Sequence, residues 1–379
     1  MKIINGGITA PEGFLANGLS CGIKKSGKPD LALIISKVPA VAAGVYTKNS
    51  IKAAPLMVTM EKLKSRTAQA ILVNSGNANC FTGNFGLYYA NKSTEIIAKL
   101  LGFCSDHVLV ASTGIIGKPL PFDKIKNAAP RLAAGLSPNK GLSAARAILT
   151  TDLKTKEASV EIRLNGKKTR IGAMAKGSGM IAPNMATMLG FITTDAAISY
   201  PLLKQALKTA ANQSFNCITI DGCMSTNDMV TIMANGLAQN KPLTNHDKDF
   251  QTFSKALNYV CLDLAKKIVF DGEGATKFIE IHVVNAKSES QAKDVANAIA
   301  NSVLVKTAAF GSNPNWGRVA AAVGSLGLPV TEKDLKIEFS SFAKKDIAID
   351  VDLNSGKANA KVYTCDLSLG YVKINGKYN

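Results

Sequence analysis

Apolar runs that stop in Gly, Asn or Ser-Thr recur along the first third of the chain. AILVNSGNANC (70–80) is an unbroken apolar run ending in a Gly/Asn loop, and HVLVASTGIIGKPL (107–120) repeats the design with Ser-Thr-Gly. Both read as buried strands that deliver a loop at their ends. PFDKIKNAAPRLAAGL and KGLSAARAIL then space their apolar residues as helices do. ASVEIRLNGKKTRIGAMAK (158–176) alternates on both sides of Asn165-Gly166, the pattern of a hairpin with a two-residue turn. Further on, the pattern predicts a helix around 201–212, a strand CITID (217–221), and a helix over 249–268 leading into the loop FDGEGATK (270–277). A strand FIEIHVV, helices near 289–300 and after Trp316, and a closing hairpin in DIAIDVDLNSGKANAKVYTCDL complete it. Helices and strands alternate with hairpins among them, so the expected fold class is α/β, mixed with α+β character. No repeat or low-complexity linker marks a boundary. The expected division is a core over 1–280 and a smaller C-terminal α/β domain over 281–379.

GSGMIAPNMATMLGFITT (177–194) breaks from this pattern: eighteen residues without a charge, in a chain where 19% are charged. Its length approaches that of a bilayer span, but Pro183, Asn184, three threonines and three glycines favour a buried loop and strand. Within it, Thr187 is a hydroxyl among Met, Leu, Ile and Phe. A hydroxyl nucleophile needs a base, and residues 177–194 hold no His, Asp or Glu. The α-amine of Thr187, with a pKa of about 7.7–8.0, would suit that role once the Ala186–Thr187 bond is cut. A threonine in an apolar run is also ordinary core material. Residue pattern alone leaves both readings standing.

Composition narrows the classes. A chain of 379 residues is long enough for two domains. Seven cysteines without a CxxC pair, and three distant histidines (His107, His246, His282), give no zinc-type cluster, so no metal is expected. The first residues, MKIINGGITAPEGF, lack the pattern of a signal peptide; reduced thiols, a cytoplasmic location and no membrane attachment are expected. Net charge is +18, yet only six of 45 basic residues are arginine and the lysines are scattered. That favours a solvated surface able to attract small anions over a nucleic-acid face. A nucleic-acid module would instead show strongly salt-dependent DNA binding. GIIGKP (114–119) has the wrong spacing for a P-loop, and no GxGxxG occurs.

KGSGMIAPNMATML (176–189) closely resembles the signature of the ornithine acetyltransferase, or ArgJ, family. NSGNAN (74–79), ASTGIIG (111–117), TTD (150–152), TIDGCMSTND (219–228), DGEGATK (271–277), NPNWGR (313–318) and YVKIN (371–375) resemble further family blocks in the same order. The resemblance covers nearly the whole chain. It implies a layered α-β-β-α-like core of the self-processing N-terminal-nucleophile type. It also implies cleavage at Ala186–Thr187 into an α chain (1–186) and a β chain (187–379). Thr187 would then carry acetyl from N2-acetylornithine to glutamate by ping-pong transfer, with Thr113 and Gly114 as the oxyanion hole. Thr150, Lys176, Thr187, Glu273 and Asn375 would contact substrate. No cofactor is implied, although some members use acetyl-CoA as a second donor, and the processed chains commonly assemble as an α2β2 heterotetramer. Cys223, Met224, Asn313 and a chain ending at Asn379 depart from the usual blocks. The competing reading is a self-cleaving aminopeptidase of related architecture, in which water takes the acyl group.

Overall fold

The computed structural model describes residues 1–182 and 188–377. The chain divides into two compact units. The first comprises 1–177, 187–214 and 225–264; the second comprises 178–186, 215–224 and 265–379.

The first unit contains strands β1 (Lys2–Ile3), β2 (Phe14–Leu19), β3 (Leu31–Tyr46), β4 (Thr67–Asn77), β5 (Val108–Ile115), β6 (Lys156–Leu164), β7 (Lys167–Lys176), β8 (Leu189–Thr194) and β9 (Met229–Ala234). Its helices are α1 (Ala54–Lys62), α2 (Gly83–Leu101), α3 (Phe122–Ala134), α4 (Gly141–Ala147) and α5 (Tyr200–Asn212). Helix α6 (Lys248–Phe270) begins in this unit and ends in the second. The strands run in the order β1-β6-β7-β8-β9-β3-β4-β5, with β2 also paired to β3.

β3 lets the sheet fold back on itself. Its first half pairs with β2 and β4 and its second with β9, with a register shift between Ile35 and Ala40. Pro39 lies in that shift, where its missing N–H costs no ladder bond. Strand alternation then sends side chains to two cores. Leu31, Leu33, Ile35, Ala70 and Leu72 pack with Ile97 of α2 and Leu132 of α3. Ala32, Ile34, Ile71 and Val73 pack instead with Met174, Leu189, Phe191 and Met229 from β7, β8 and β9. Two sheet layers therefore face each other across one core, α2 and α3 cover one outer face, and α5 packs on β3. This is the expected α-β-β-α layering. Each fully buried Leu, Ile or Phe contributes about 1.5–3 kcal/mol.

The second unit holds β10 (Phe278–Ala286), β11 (Lys336–Phe339), β12 (Asp346–Asp352), β13 (Ala358–Cys365) and helices α7 (Glu289–Asn301), α8 (Val303–Phe310), α9 (Trp316–Gly324) and α10 (Leu369–Asn375). Its strand order is β11-β12-β10-β13, with α7 packed on β10 and β13.

Three sequence expectations change. The boundary drawn at 280 falls inside β10, the central strand of the second sheet, so the division lies earlier, at 264/265. β12 and β13 form no hairpin. β10 sits between them, parallel to β12 and antiparallel to β13. The intervening loop crosses the end of β10, where Leu353 and Ser355 donate their N–H groups to the carbonyls of Val284 and Asn285. CITID is not a strand either. Ile218 makes one isolated bridge to Tyr363, and Thr219 turns its hydroxyl back onto Ile181 O at 3.0 Å. By contrast, β6 and β7 pair from Lys156↔Ala175 to Leu164↔Lys167 around Asn165-Gly166. Both turn residues adopt positive φ, 47° and 78°, as this two-residue turn requires. Among the described residues no helix is long and apolar enough to cross a membrane, and no group of side chains could hold a metal ion.

Candidate active site

β4 and β5 run parallel and end together, Ser75 opposite Thr113 and Gly76 opposite Gly114. A β-carbon at position 114 would stand 2.4 Å from Gly76 C and 2.5 Å from Asn77 N, and φ there is +135°. Only glycine allows this approach. The polar residues of NSGNAN act mainly as staples. Ser112 Oγ donates to Asn74 Oδ1 at 2.5 Å, Asn74 Nδ2 to Asn77 O at 2.8 Å, and Asn77 Nδ2 to Pro119 O at 3.0 Å. Asn227 Nδ2 closes the set onto Ala78 O (2.7 Å) and Ser112 O (2.8 Å). Satisfied buried networks of this kind rigidify the backbone they bind. Here that backbone carries Thr113 and Gly114.

Lys176, the last residue of β7, points its Nζ to within 3.4 Å of Thr113 Oγ1. Its residue is 3% exposed, Thr113 is 7% exposed, and Gly114 is half-buried. Asp152 organises the lysine from below. Its Oδ1 accepts from Lys156 Nζ at 2.7 Å and from Gly177 N at 2.7 Å, while Oδ2 accepts from Thr150 N at 3.0 Å and lies 4.0 Å from Lys176 Nζ. Burial alone would raise the Asp152 carboxyl, but the Lys176 and Lys156 ammonium groups outweigh it. They hold it well below the usual carboxylate range. Asp152 is therefore an anion at neutral pH that anchors Thr150, Lys176 and Gly177 together.

The acidic loop lies in the second unit. Glu273 is buried, donates its N–H to Ser178 O at 2.7 Å, and accepts Asn375 Nδ2 on Oε2 at 2.8 Å. Gly179 leaves the space this carboxylate occupies, since a β-carbon there would sit 2.3 Å from Oε2. Ser368 caps α10 and donates its hydroxyl to Gly274 O at 2.5 Å, which docks the Asn375 helix on the loop.

The sequence-predicted residues thus fall into two assembled groups: Thr113, Gly114, Thr150 and Lys176 in the first unit, Glu273 and Asn375 in the second. Ala186 and Thr187 lie outside the described residues, as does Asn379.

Sequence reading missed three aspartates. Asp152 was in view as part of TTD, with Lys156 four residues on as a signal. Asp221 and Asp228 sit in TIDGCMSTND. Asp221 accepts the N–H groups of Met180 (2.6 Å) and Ile181 (2.9 Å) and the hydroxyl of Tyr371 (3.2 Å). Asp228 Oδ1 accepts from Met188 N at 3.0 Å. Of the unusual residues, Cys223 and Asn313 are exposed.

The sequence model of the ArgJ family matches residues 15–379. An arginine biosynthesis bifunctional protein ArgJ from Symbiobacterium thermophilum is 45% identical over 400 residues, spanning all of both chains. The protein of that name from Bacillus thuringiensis subsp. konkukian is 46% identical over 398 residues, all of this chain and 97% of the other. Among solved structures, the ornithine acetyltransferase of Mycobacterium tuberculosis complexed with ornithine is 37% identical, with a TM-score of 0.46. That match covers 48% of this chain and 97% of the other.

Proposed function

From the premise that this chain belongs to the ArgJ family, we propose that it is an acyltransferase of arginine biosynthesis moving acetyl from N2-acetyl-L-ornithine to L-glutamate. The observation that carries the reading is the buried Lys176 ammonium 3.4 Å from Thr113 Oγ1, on a carboxylate-anchored network.

The chain cleaves itself between Ala186 and Thr187. The freed Thr187 amine then serves as base while its hydroxyl attacks the acetyl carbonyl of N-acetylornithine. Thr113 and Gly114 hold the resulting oxyanion, a contribution of about 3–4 kcal/mol per donor. Ornithine leaves with the proton on its amine, and the glutamate amine collects the acetyl group from Thr187. Lys176 binds the substrate α-carboxylate, a role suited to an ammonium held in place by Asp152. Glu273 receives the side-chain ammonium of ornithine, with Asn375 fixing its second oxygen, and Thr150 contacts substrate beside Lys176. Acetyl-CoA is a second acetyl donor, no cofactor is needed, and the processed chains assemble as a cytoplasmic α2β2 tetramer.

The test is a product assay on purified protein given N-acetylornithine with and without glutamate. Glutamate-dependent formation of N-acetylglutamate supports the transferase. Release of free acetate at the same rate without glutamate would overturn it in favour of a hydrolase.

A further inference from the structure

Glu273 stands in a closed circuit of hydrogen bonds whose members all belong to the second unit. It donates its N–H to Ser178 O at 2.7 Å, and Gly179 leaves room for its carboxylate. The next two residues, Met180 and Ile181, donate their N–H groups to Asp221, to Oδ2 at 2.6 Å and to Oδ1 at 2.9 Å. Tyr371 donates its hydroxyl to the same Oδ2 at 3.2 Å. One turn along α10, Asn375 Nδ2 donates to Tyr371 O at 3.1 Å and returns to Glu273 Oε2 at 2.8 Å. A single oxygen of Asp221 therefore joins the segment that frames Glu273 to the helix that carries its amide partner.

Two features show that the circuit fixes position. Met180 adopts φ +57°, a left-handed conformation that residues other than glycine seldom take. Such a conformation persists only where its surroundings impose it, and it concentrates at functional sites. Asp221 imposes it here from one side. From the other, Ile181 O accepts Ile220 N at 2.9 Å and Thr219 Oγ1 at 3.0 Å. The second feature is α10 itself. Helices this short are marginal unless tertiary contacts hold them, yet α10 has no buried residue, and Leu369 and Val372 are exposed. Its place depends on polar links: Ser368 to Gly274 O, Asn375 to Glu273, and Tyr371 to Asp221. Burial and the Asp221 charge both push the Tyr371 phenol up, so it remains a protonated donor through the neutral range.

We infer that Asp221 and Tyr371 are positioning residues for the substrate's side-chain ammonium, clasping Glu273 and Asn375 into the geometry that receives it. This rests on the reading of Glu273 as the ornithine subsite. Neither residue touches the reacting atoms. A carboxylate already held on fixed supports meets an ammonium with less affinity lost to ordering. The acceptor glutamate brings no side-chain ammonium, so its half of the reaction does not draw on the clasp.

Tyr371→Phe deletes one hydroxyl and keeps the aromatic ring. The experiment compares steady-state kinetics of wild type, Tyr371→Phe, Glu273→Gln and the double variant. Tyr371→Phe is expected to raise KM for N-acetylornithine about three- to tenfold at unchanged kcat, the loss of one hydrogen bond, and to leave KM for glutamate unchanged. In the Glu273→Gln background the same substitution should change nothing further, because the charge it positions is gone. Asp221→Asn sets an amide N–H against donors that now meet a carboxylate, and it is expected to give the same selective loss. That second variant keeps the test open if Tyr371→Phe does not fold. A folded variant with wild-type KM for N-acetylornithine, or with the same loss for both substrates or in both backgrounds, would overturn the clasp while leaving the acetyltransferase reading intact. A wild type without glutamate-dependent transfer from N-acetylornithine would instead remove the reading on which the clasp rests.

Discussion

Asp152→Asn removes one negative charge from between Lys156 and Lys176 while preserving the shape of the side chain. Lys156 is 1% exposed and lies 2.7 Å from Asp152; Lys176 is 3% exposed and 4.0 Å away. Removing one partner from a buried ion pair costs about 3–5 kcal/mol, because the opposite charge stays desolvated. For a unit of this size each kcal/mol shifts Tm by about 2–4 °C, so the expected drop is about 6–20 °C. The pH dependence has a definite sign. The folded-state Asp152 carboxyl lies below its unfolded value, so its contribution is present above about pH 4 and fades as pH falls through the folded value. Differential scanning calorimetry at neutral pH and across the acid range reads both effects. The gap between variant and wild type should be widest near neutral pH and narrow in acid. A Tm within about 1 °C of wild type at pH 7, or a gap that widens in acid, would refute the assignment of Asp152 as the charged anchor.

Gly114→Ala should lower kcat by about 100- to 1,000-fold, because its β-carbon would collide with the backbone of Gly76 and Asn77; a steady-state transfer assay reads this. Lys176→Met should raise KM for N-acetylornithine by about 10- to 100-fold, the loss of a hydrogen bond to a charged group. Glu273→Gln should raise KM for N-acetylornithine about tenfold while changing that for glutamate less, since only the former brings a side-chain ammonium. Thr187→Ala should leave the chain uncut and abolish transfer, by intact mass and activity.

Much of the fold was legible where local pattern decides it. The β6–β7 hairpin follows from Asn165-Gly166, and β4 and β5 from apolar runs that stop in glycine loops. Pairing between distant segments was not legible. β10 inserts between β12 and β13, and nothing within 346–367 signals that a strand from residue 278 will separate them. β3 carries apolar residues on both faces and a proline at its bend, so its sequence lacks the alternation of a half-buried strand. The site divides the same way. Thr113, Gly114, Lys176 and Glu273 came from motif blocks, and the structure supplies their supports. Asp152 and Asp228 owe their surroundings to burial, which depends on what packs around them rather than on neighbouring letters. In sequence Asp228 is one carboxylate among 27 acidic residues. In the fold its register against Met188 sets it apart.

The central claim is that Thr187, exposed as a chain terminus, carries the acetyl group. The direct measurement is intact mass of the denatured protein after brief mixing with N-acetylornithine in the absence of glutamate. The expected result is two fragments meeting between Ala186 and Thr187, with the C-terminal fragment heavier by one acetyl group on its terminal threonine and restored to its original mass when glutamate is added. A single uncut chain of 39.9 kDa, or a cut chain that turns over acetylornithine without gaining acetyl at Thr187, would contradict it.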